Sequence, residues 1–216
     1  MIAIIAEIKK KIRHSSEDQL TGDFFGALRY LPFDLGIKPI LREGVYPAGL
    51  CDCLDGVSLN KWHDNIKFWP HYNHLSRKEP DIVIELEHVA ILIEVKYNSP
   101  LSGDDQLTYE AELLAELFPK KEKVLLLLAP EDSAFETYAA QKGKIEERKD
   151  GVRFGYLTWQ KVWAVLRQIT PEDPFFKVIV RDLAELLKRK DFGRFHRFED
   201  VEEVDPAGYW VFKEAL

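Results

Sequence analysis

The stretch EPDIVIELEHVAILIEVKYNS, residues 79–99, contains two apolar runs that predict a pair of β-strands. We expect one strand over residues 81–87 and the other over residues 90–97. Asp81 lies at the head of the first run, and Glu94-Val95-Lys96 lies inside the second. Charges within buried strands are costly unless they are paired or bind a metal, so these charged residues need an explanation beyond packing.

Side-chain alternation predicts which residues of this hairpin share a face of the sheet. We expect a tight turn with His88-Val89 at its tip, which pairs Asp81 with Lys96 and Val83 with Glu94. The three ionisable side chains then lie on one side of the sheet, with purely aliphatic side chains on the other. A register slip of one residue would separate them.

Periodicity along the rest of the chain predicts helices that alternate with strands. The predicted helices cover residues 17–31, 103–118, 133–148, 160–169 and 174–190, and the further strands cover residues 123–129 and 152–159. Residues 33–78 are rich in Gly, Pro, Asn and aromatics, so we expect loops there with one or two short elements. The fold class predicted is α/β, a mixed β-sheet flanked by helices.

Composition limits the class of protein. With 216 residues, 46% of them hydrophobic and 31% charged, we expect a single domain over residues 1–216, with a helical C-terminal extension from about residue 158. No apolar run approaches the roughly 20 residues that span a bilayer, so no membrane partner is expected. The formal net charge of −7 means that a nucleic-acid contact would need a local basic patch or metal ions.

The cellular location expected is cytoplasmic. The N-terminal MIAIIAEIKKK has no basic region before its apolar residues and no small-residue cleavage site, which argues against a secretory signal. Cys51 and Cys53 are the two cysteines of the chain and cannot form a disulfide framework.

The charged residues of the hairpin suit metal-assisted chemistry. Two carboxylates beside a lysine suit an oxygen-ligated divalent cation, Mg²⁺ or Mn²⁺. Such an ion lowers the pKa of a bound water and neutralises charge while a phosphodiester is cleaved. The lysine adds a positive charge near the attacking water or the phosphate oxygen. The alternative is a solvent-facing hairpin with a Lys–Glu pair across it.

Pro80-Asp81 followed by Glu94-Val95-Lys96 resembles the motif of the PD-(D/E)xK nuclease superfamily, which has the restriction-endonuclease-like fold. The family core of helix, strands, helix and strand is similar to the order predicted over about residues 15–129. The resemblance implies that Asp81 and Glu94 bind the metal with the Val95 carbonyl, and that Lys96 assists catalysis. It also implies an acidic metal ligand on the first core helix.

Glu17 fits that first-helix position because it lies on the apolar face of the predicted helix, with Asp18 left open as the alternative. Farther along, Gln106-Leu107-Thr108-Tyr109 is similar to the Q-x-x-Y signature of RecB-type nucleases. The resemblance implies that Gln106 and Tyr109 belong to the catalytic site, where they would steady the lysine or touch nucleic acid. Their spacing of three residues puts them on one face of a helix. The alternative is that both simply belong to an ordinary helix surface without a role in the site.

Two patterns between residues 33 and 78 have competing interpretations. Cys51-x-Cys53 with His63, His71 and His74 invites a zinc site, but the spacing matches no usual ligand pattern, and packing or surface roles are favoured. The aromatic segment FWPHY, residues 68–72, is interpreted as a cover for the core edge, with base stacking as the alternative.

Near the C-terminus, the segment KRKDFGRFHRF, residues 188–198, alternates basic and aromatic side chains. This pattern suits a nucleic-acid contact, but cations at a helix end are also favoured by the helix dipole. The two interpretations stay open. The acidic sequence EDVEEVD that follows could neutralise the basic residues.

The function predicted is a metal-dependent nuclease that hydrolyses phosphodiester bonds, with nucleic acid as its partner and DNA favoured over RNA. The alternative is a catalytically inactive nuclease-fold protein that acts as a nucleic-acid-binding or assembly module. Protein partners and homodimerisation are left open.

Overall fold

The computed structural model describes residues 16–59, 61–72, 79–97 and 99–193. Its helices are α1 (Ser16–Leu28), α2 (Ile37–Gly44), α3 (Gln106–Leu117), α4 (Glu131–Glu146), α5 (Trp159–Leu166) and α6 (Pro174–Arg189). Its strands are β1 (Ile66–Phe68), β2 (Ile82–Glu85), β3 (Val89–Val95), β4 (Glu122–Ala129) and β5 (Val152–Thr158). Two 3₁₀ turns, Asp52–Leu54 and Trp62–Asp64, precede β1.

The five strands form one mixed sheet in the order β1-β2-β3-β4-β5. β1, β2 and β3 are antiparallel neighbours, whereas β3, β4 and β5 run parallel. Each parallel connection includes a helix, α3 and then α4, because a parallel crossover must return the chain to the same end of the sheet. The α/β class and the mixed sheet flanked by helices are therefore confirmed.

Each face of the sheet is covered by its own hydrophobic core. Side chains of α1, α2, α5 and α6 pack on the face that contains Ile91, Ile93 and Val95. Helices α3 and α4 pack on the opposite face, against Val83 and Leu92. The helices that follow residue 158 thus belong to the core of the domain, beside α1 and α2.

The hairpin between β2 and β3 differs in register from the prediction. Its tip is Glu87-His88, because Leu86 and Val89 are both buried and close the turn with a bond from the Leu86 N–H to the Val89 carbonyl, 2.9 Å. Val83 consequently pairs with Leu92, not with Glu94.

The shift is an even number of residues, so the side chains within the two strands keep their predicted faces. Continued by one residue beyond the Ile82–Ile93 pair, the register sets Asp81 opposite Glu94, where the prediction had set it opposite Lys96. The predicted pairing of charges was therefore wrong, although Glu94 and Lys96 still meet, at 2.7 Å, at the end of the hairpin where Asp81 lies.

The first helix ends earlier than predicted. After Leu28 the chain tightens into three-residue turns, with bonds from the Tyr30 N–H to the Ala27 carbonyl and from the Leu31 N–H to the Leu28 carbonyl. Pro32 follows directly, and the residue before a proline disfavours helical geometry. Within the described part of the chain, no helix is both long and apolar enough to cross a membrane.

We expect Gly155→Ala in β5 to destabilise the fold by about 3 kcal/mol, the upper range for overpacking. A Cβ at this position would overlap the Leu50 side chain and lie 2.5 Å from the Tyr46 carbonyl oxygen, a backbone atom that cannot move freely. Gly143→Ala in α4 is the matched control, since its Cβ would meet nothing within 4 Å. Denaturant unfolding of both variants checks this, and equal midpoints would contradict it.

Candidate active site at one end of the β2–β3 hairpin

Asp81 and Glu94 lie at the same end of the hairpin because β2 begins where the antiparallel β3 ends. The Asp81 side chain accepts a hydrogen bond from the Val95 N–H at 2.9 Å. Its backbone carbonyl accepts from the Trp69 N–H, also at 2.9 Å, which ties the residue to the segment after β1. The predicted role of the Val95 carbonyl as a metal ligand stays a prediction; the contact observed here is made by the Val95 N–H.

Lys96 links the acids of the two faces of the sheet. Its Nζ lies 2.7 Å from Oε1 of Glu94 and 3.3 Å from Oε1 of Glu17. Only 7% of Lys96 is exposed. Because β3 has just ended, the lysine side chain leaves the strict alternation of the strand and reaches both acids.

Glu17, in the first turn of α1, is the first-helix acid that the structure brings to Lys96. Its second oxygen, Oε2, accepts bonds from the Tyr97 N–H at 2.9 Å and from the Ser99 hydroxyl at 2.6 Å. These bonds attach α1 to the chain that leaves β3. The side chain is 17% exposed, so it lies at the border between the core and solvent.

Gln106 is the first residue of α3, and it approaches the site from the face of the sheet opposite to α1. Its Nε2 donates to Oε1 of Glu94 and, at 3.0 Å, to Oε1 of Glu110. Its own Oε1 accepts the Ser102 N–H at 2.7 Å. The structure therefore sets Gln106 against the acid of the E-x-K motif, whereas Tyr109 is 50% exposed.

Glu110 is a site residue that the sequence interpretation missed. It is 3% exposed, and its Oε2 has no hydrogen-bond partner among the described residues. A signal was present, since Glu110 follows Gln106 by four residues and shares its buried stripe with Leu107 and Leu114. An acid on the apolar stripe of a helix is unusual enough to mark a functional position.

Three carboxyl groups of the site, those of Asp81, Glu94 and Glu110, have raised pKa values. Burial, followed by the charge of Glu94, raises the pKa of Asp81 well above its ordinary value. Burial and the neighbouring Glu110 raise the pKa of Glu94 to about 8, although Lys96 opposes this. Burial also raises the pKa of Glu110 to about 7. Negative charge is thus costly at this site, and a further cation would relieve that cost.

Lys96 stays charged in this environment. Burial by itself lowers the pKa of its ammonium group, but the charge of Glu94, the hydrogen bond to it and the charge of Glu17 together raise that pKa above its ordinary value. The ammonium therefore offsets part of the carboxylate repulsion.

Trp159 supports the site from the core beneath it. Its Nε1–H donates to the Lys96 carbonyl at 2.9 Å, and the Lys96 N–H donates to the Leu128 carbonyl at 2.7 Å. The Trp159 ring contacts Phe24 of α1 edge to face at 5.3 Å. Because Trp159 touches both α1 and β3, it fixes the relation between Glu17 and Lys96. No sequence pattern indicated this role.

The donor chemistry of the site fits the predicted cation. Among the described residues, no three His, Cys, Asp or Glu side chains are arranged to hold a metal ion. The predicted donor set, Glu17, Asp81, Glu94 and the Val95 carbonyl, stays a prediction, and it consists of oxygen atoms, as Mg²⁺ and Mn²⁺ prefer. Burial first and the charge of Glu94 second raise the pKa of Asp81, so the two carboxyl groups repel each other when both are ionised.

The other sequence candidates lie away from this site or outside the described residues. Cys51 is buried in the core and both cysteines are free thiols, while His74 lies outside the described residues. Within FWPHY, Phe68 ends β1 and Trp69 is buried, in agreement with a packing role. Of the segment 188–198, residues 194–198 lie outside the described part, as does the acidic sequence after them.

Comparison with known proteins adds no assignment. No protein-family model matches the chain, and no curated protein matches it significantly.

Proposed function

We propose that the chain is a metal-dependent nuclease that hydrolyses phosphodiester bonds, with DNA as the favoured substrate. The main support is the meeting of Asp81, Glu94 and Lys96 at one end of the hairpin, with Lys96 2.7 Å from Glu94. A solvent-facing Lys–Glu pair, the plain alternative, would be exposed, yet both residues here are buried.

The order of elements also supports the proposal. Apart from α2 and two 3₁₀ turns inserted after α1, the chain runs from α1 through three antiparallel strands and α3 to a strand parallel to β3, which is the order that resemblance to the PD-(D/E)xK superfamily implies. On this proposal the sheet is restriction-endonuclease-like. Glu17 on the first helix reaches the site, as that resemblance also implies.

Each side chain has a distinct role in this proposal. A divalent cation held by Asp81, Glu94 and the Val95 carbonyl would supply charge neutralisation and a water of lowered pKa. Lys96 holds its proton and presents a fixed positive charge toward a phosphate oxygen. Glu17 orients Lys96, and Gln106 orients Glu94. The buried setting strengthens each of these electrostatic interactions relative to water.

The second candidate function is a nuclease-fold module that binds nucleic acid or assembles with a partner without cleaving. One observation favours it: Oε1 of Glu94 already contacts both Lys96 and Gln106. In a module of this kind, the charged residues would only stabilise one another, and metal binding would not depend on Asp81.

Cleavage assays separate the two functions. The full chain is incubated with Mg²⁺ or Mn²⁺ and with single- and double-stranded DNA and RNA, beside Asp81→Asn and Lys96→Met. We expect each substitution to lower the cleavage rate by about 10²- to 10³-fold, the usual effect of removing one group that stabilises transition-state charge.

Lys67→Met is the control, because Lys67 also pairs with a glutamate, Glu85, at 2.8 Å but lies 46% exposed away from the site. Its rate should equal that of the wild type. Calorimetry with Mn²⁺ gives a second readout, in which Asp81→Asn should lose the binding heat. Equal cleavage by all four proteins would refute the assignment, since a contaminating nuclease would then explain it.

A further inference from the structure

The C-terminal end of α6 lies directly beside the candidate active site. Lys190 Nζ is 5.0 Å from the centre of the Tyr97 ring, and Tyr97 follows Lys96 in the chain. The Tyr97 N–H bonds to Glu17. Lys190 is thus held near the site by a contact between its cation and an aromatic face.

Aromatic packing fixes this arrangement. Phe192, 5% exposed, stacks on Trp159 with a centroid distance of 5.7 Å and an interplanar angle of 17°. It also meets Tyr97 edge to face at 5.6 Å. Since Trp159 bonds to the Lys96 carbonyl, the same aromatic group supports the candidate catalytic lysine and the end of α6. The basic end is therefore held in a defined position relative to the site.

Two of the three basic residues at this end are available for a partner. Arg189 pairs with Glu185 one turn earlier at 3.1 Å. Lys188 is exposed and Lys190 is half-buried, and neither lies within ion-pair distance of a carboxylate of the described ranges, although the charge of Lys190 acts on Asp23 and opposes the rise of its pKa. In a chain with a net charge of −7, Lys190 beside the site and the exposed Lys188 at the same end of α6 supply the local positive charge that contact with a polyanion requires.

We propose that Lys188 and Lys190 bind backbone phosphates of a nucleic acid, next to the phosphate at the candidate active site. This inference rests on the proposed function for the position of the substrate. Phosphates repeat along a strand at a regular spacing, so a strand with one phosphate beside Lys96 extends neighbouring phosphates across the surface around Tyr97. Lysines there displace condensed counterions and so increase the affinity for nucleic acid without recognising its base sequence.

Binding in the absence of metal tests the inference separately from cleavage. Fluorescence anisotropy of short labelled DNA and RNA strands is measured with the full chain in EDTA, over a range of salt concentrations. The double variant Lys188→Gln/Lys190→Gln should bind about tenfold more weakly, and the slope of log affinity against log salt should fall by roughly 1.4, two single-strand contacts.

Lys177→Gln/Arg181→Gln is the matched control, because it removes two positive charges from exposed positions of the same helix. Its affinity should remain within about twofold of the wild type, as for charges that touch no phosphate. Thermal unfolding verifies that each variant is folded. Lys190→Arg provides a second check, since it keeps the charge and should keep most of the affinity.

The outcomes separate this inference from the nuclease proposal. Binding that depends on the two lysines supports the contact even if no cleavage is detected. Equal weakening by both double variants would show a general charge effect and overturn the inference, as would the absence of any binding by the wild type. Cleavage that is intact, with binding indifferent to Lys188 and Lys190, would overturn the inference and leave the nuclease proposal standing.

Discussion

Replacement of Lys96 by methionine should lower the free energy of unfolding by about 3 kcal/mol at about pH 9, the cost of removing one partner from a buried ion pair. Methionine keeps most of the aliphatic stem, so the change isolates the charge. Glu94 and Glu17, at 2.7 and 3.3 Å from the ammonium, would both lose their cation.

The size of this loss should depend on pH. Lys96 lowers the pKa of Glu94, which is about 8 with the lysine present. Without the lysine that pKa rises further, so above about pH 8 Glu94 keeps its proton in the variant where it is ionised in the wild type, and near neutral pH Glu94 is protonated in both proteins. Because the neutral carboxyl tolerates burial, the loss of stability should shrink toward pH 6, where denaturant titrations give the second point of comparison.

The matched control is Lys67→Met, which removes a lysine from an exposed pair with Glu85. Exposed pairs contribute about 0 to 1 kcal/mol, so this variant should unfold nearly as the wild type does. If the two variants lose the same free energy at alkaline pH, Lys96 is not the charge that holds the buried acids together.

The second large effect concerns Glu110 and the dependence of stability on pH. Its pKa is raised from 4.5 to about 7, so the folded protein binds a proton that the unfolded chain releases. The stabilisation from this group is complete below pH 4.5 and is lost as the pH rises through about 7. Asp81 and Glu94, whose pKa values are also raised, act in the same direction.

We therefore expect the metal-free wild type to become less stable between about pH 5 and about pH 9, and Glu110→Gln to reduce that decline. Glutamine resembles the protonated acid in shape and has no charge. At about 1.4 kcal/mol for each pH unit between the two pKa values, the variant should gain at most about 3 kcal/mol at the alkaline end. At the acidic end the two proteins should be nearly equal.

Denaturant unfolding in EDTA at both ends of this pH range measures the effect. Glu116→Gln provides the comparison, because it makes the same chemical change at an exposed position of α3. Parallel pH profiles for wild type and Glu110→Gln would mean that Glu110 is not a buried, proton-binding group. Addition of Mn²⁺ should stabilise the wild type more at alkaline pH, since a cation competes with protons for the same oxygens.

The hairpin illustrates how much of the fold could be predicted. Hydrophobic alternation identified both strands and placed Asp81 and Glu94 near each other, but Lys96 follows the end of β3 and also reaches Glu17. The turn was misplaced because local propensity does not distinguish His88-Val89 from Glu87-His88 as a tip. Burial of Leu86 and Val89 decides it, and burial is a property of the folded core.

The remaining contacts of the site join residues that are distant in sequence. Glu17 meets Lys96 because α1 packs on one face of the sheet, and Gln106 meets Glu94 because α3 packs on the other. Resemblance to a family motif indicated these residues as candidates, but not which atoms would meet. Trp159 had no sequence signal, because any buried tryptophan has the same pattern.

The sequence by itself determined the α/β class, the face of each strand residue and the grouping of two acids with a lysine. These follow from the two-residue period of a strand, which survives an even register shift. Only the tertiary structure decided the partners of those charges, the presence of Glu110 among them and the contact of the α6 end with Tyr97. Such contacts depend on how helices dock on the sheet, and docking is set by the close packing of many side chains together, which no short sequence window contains.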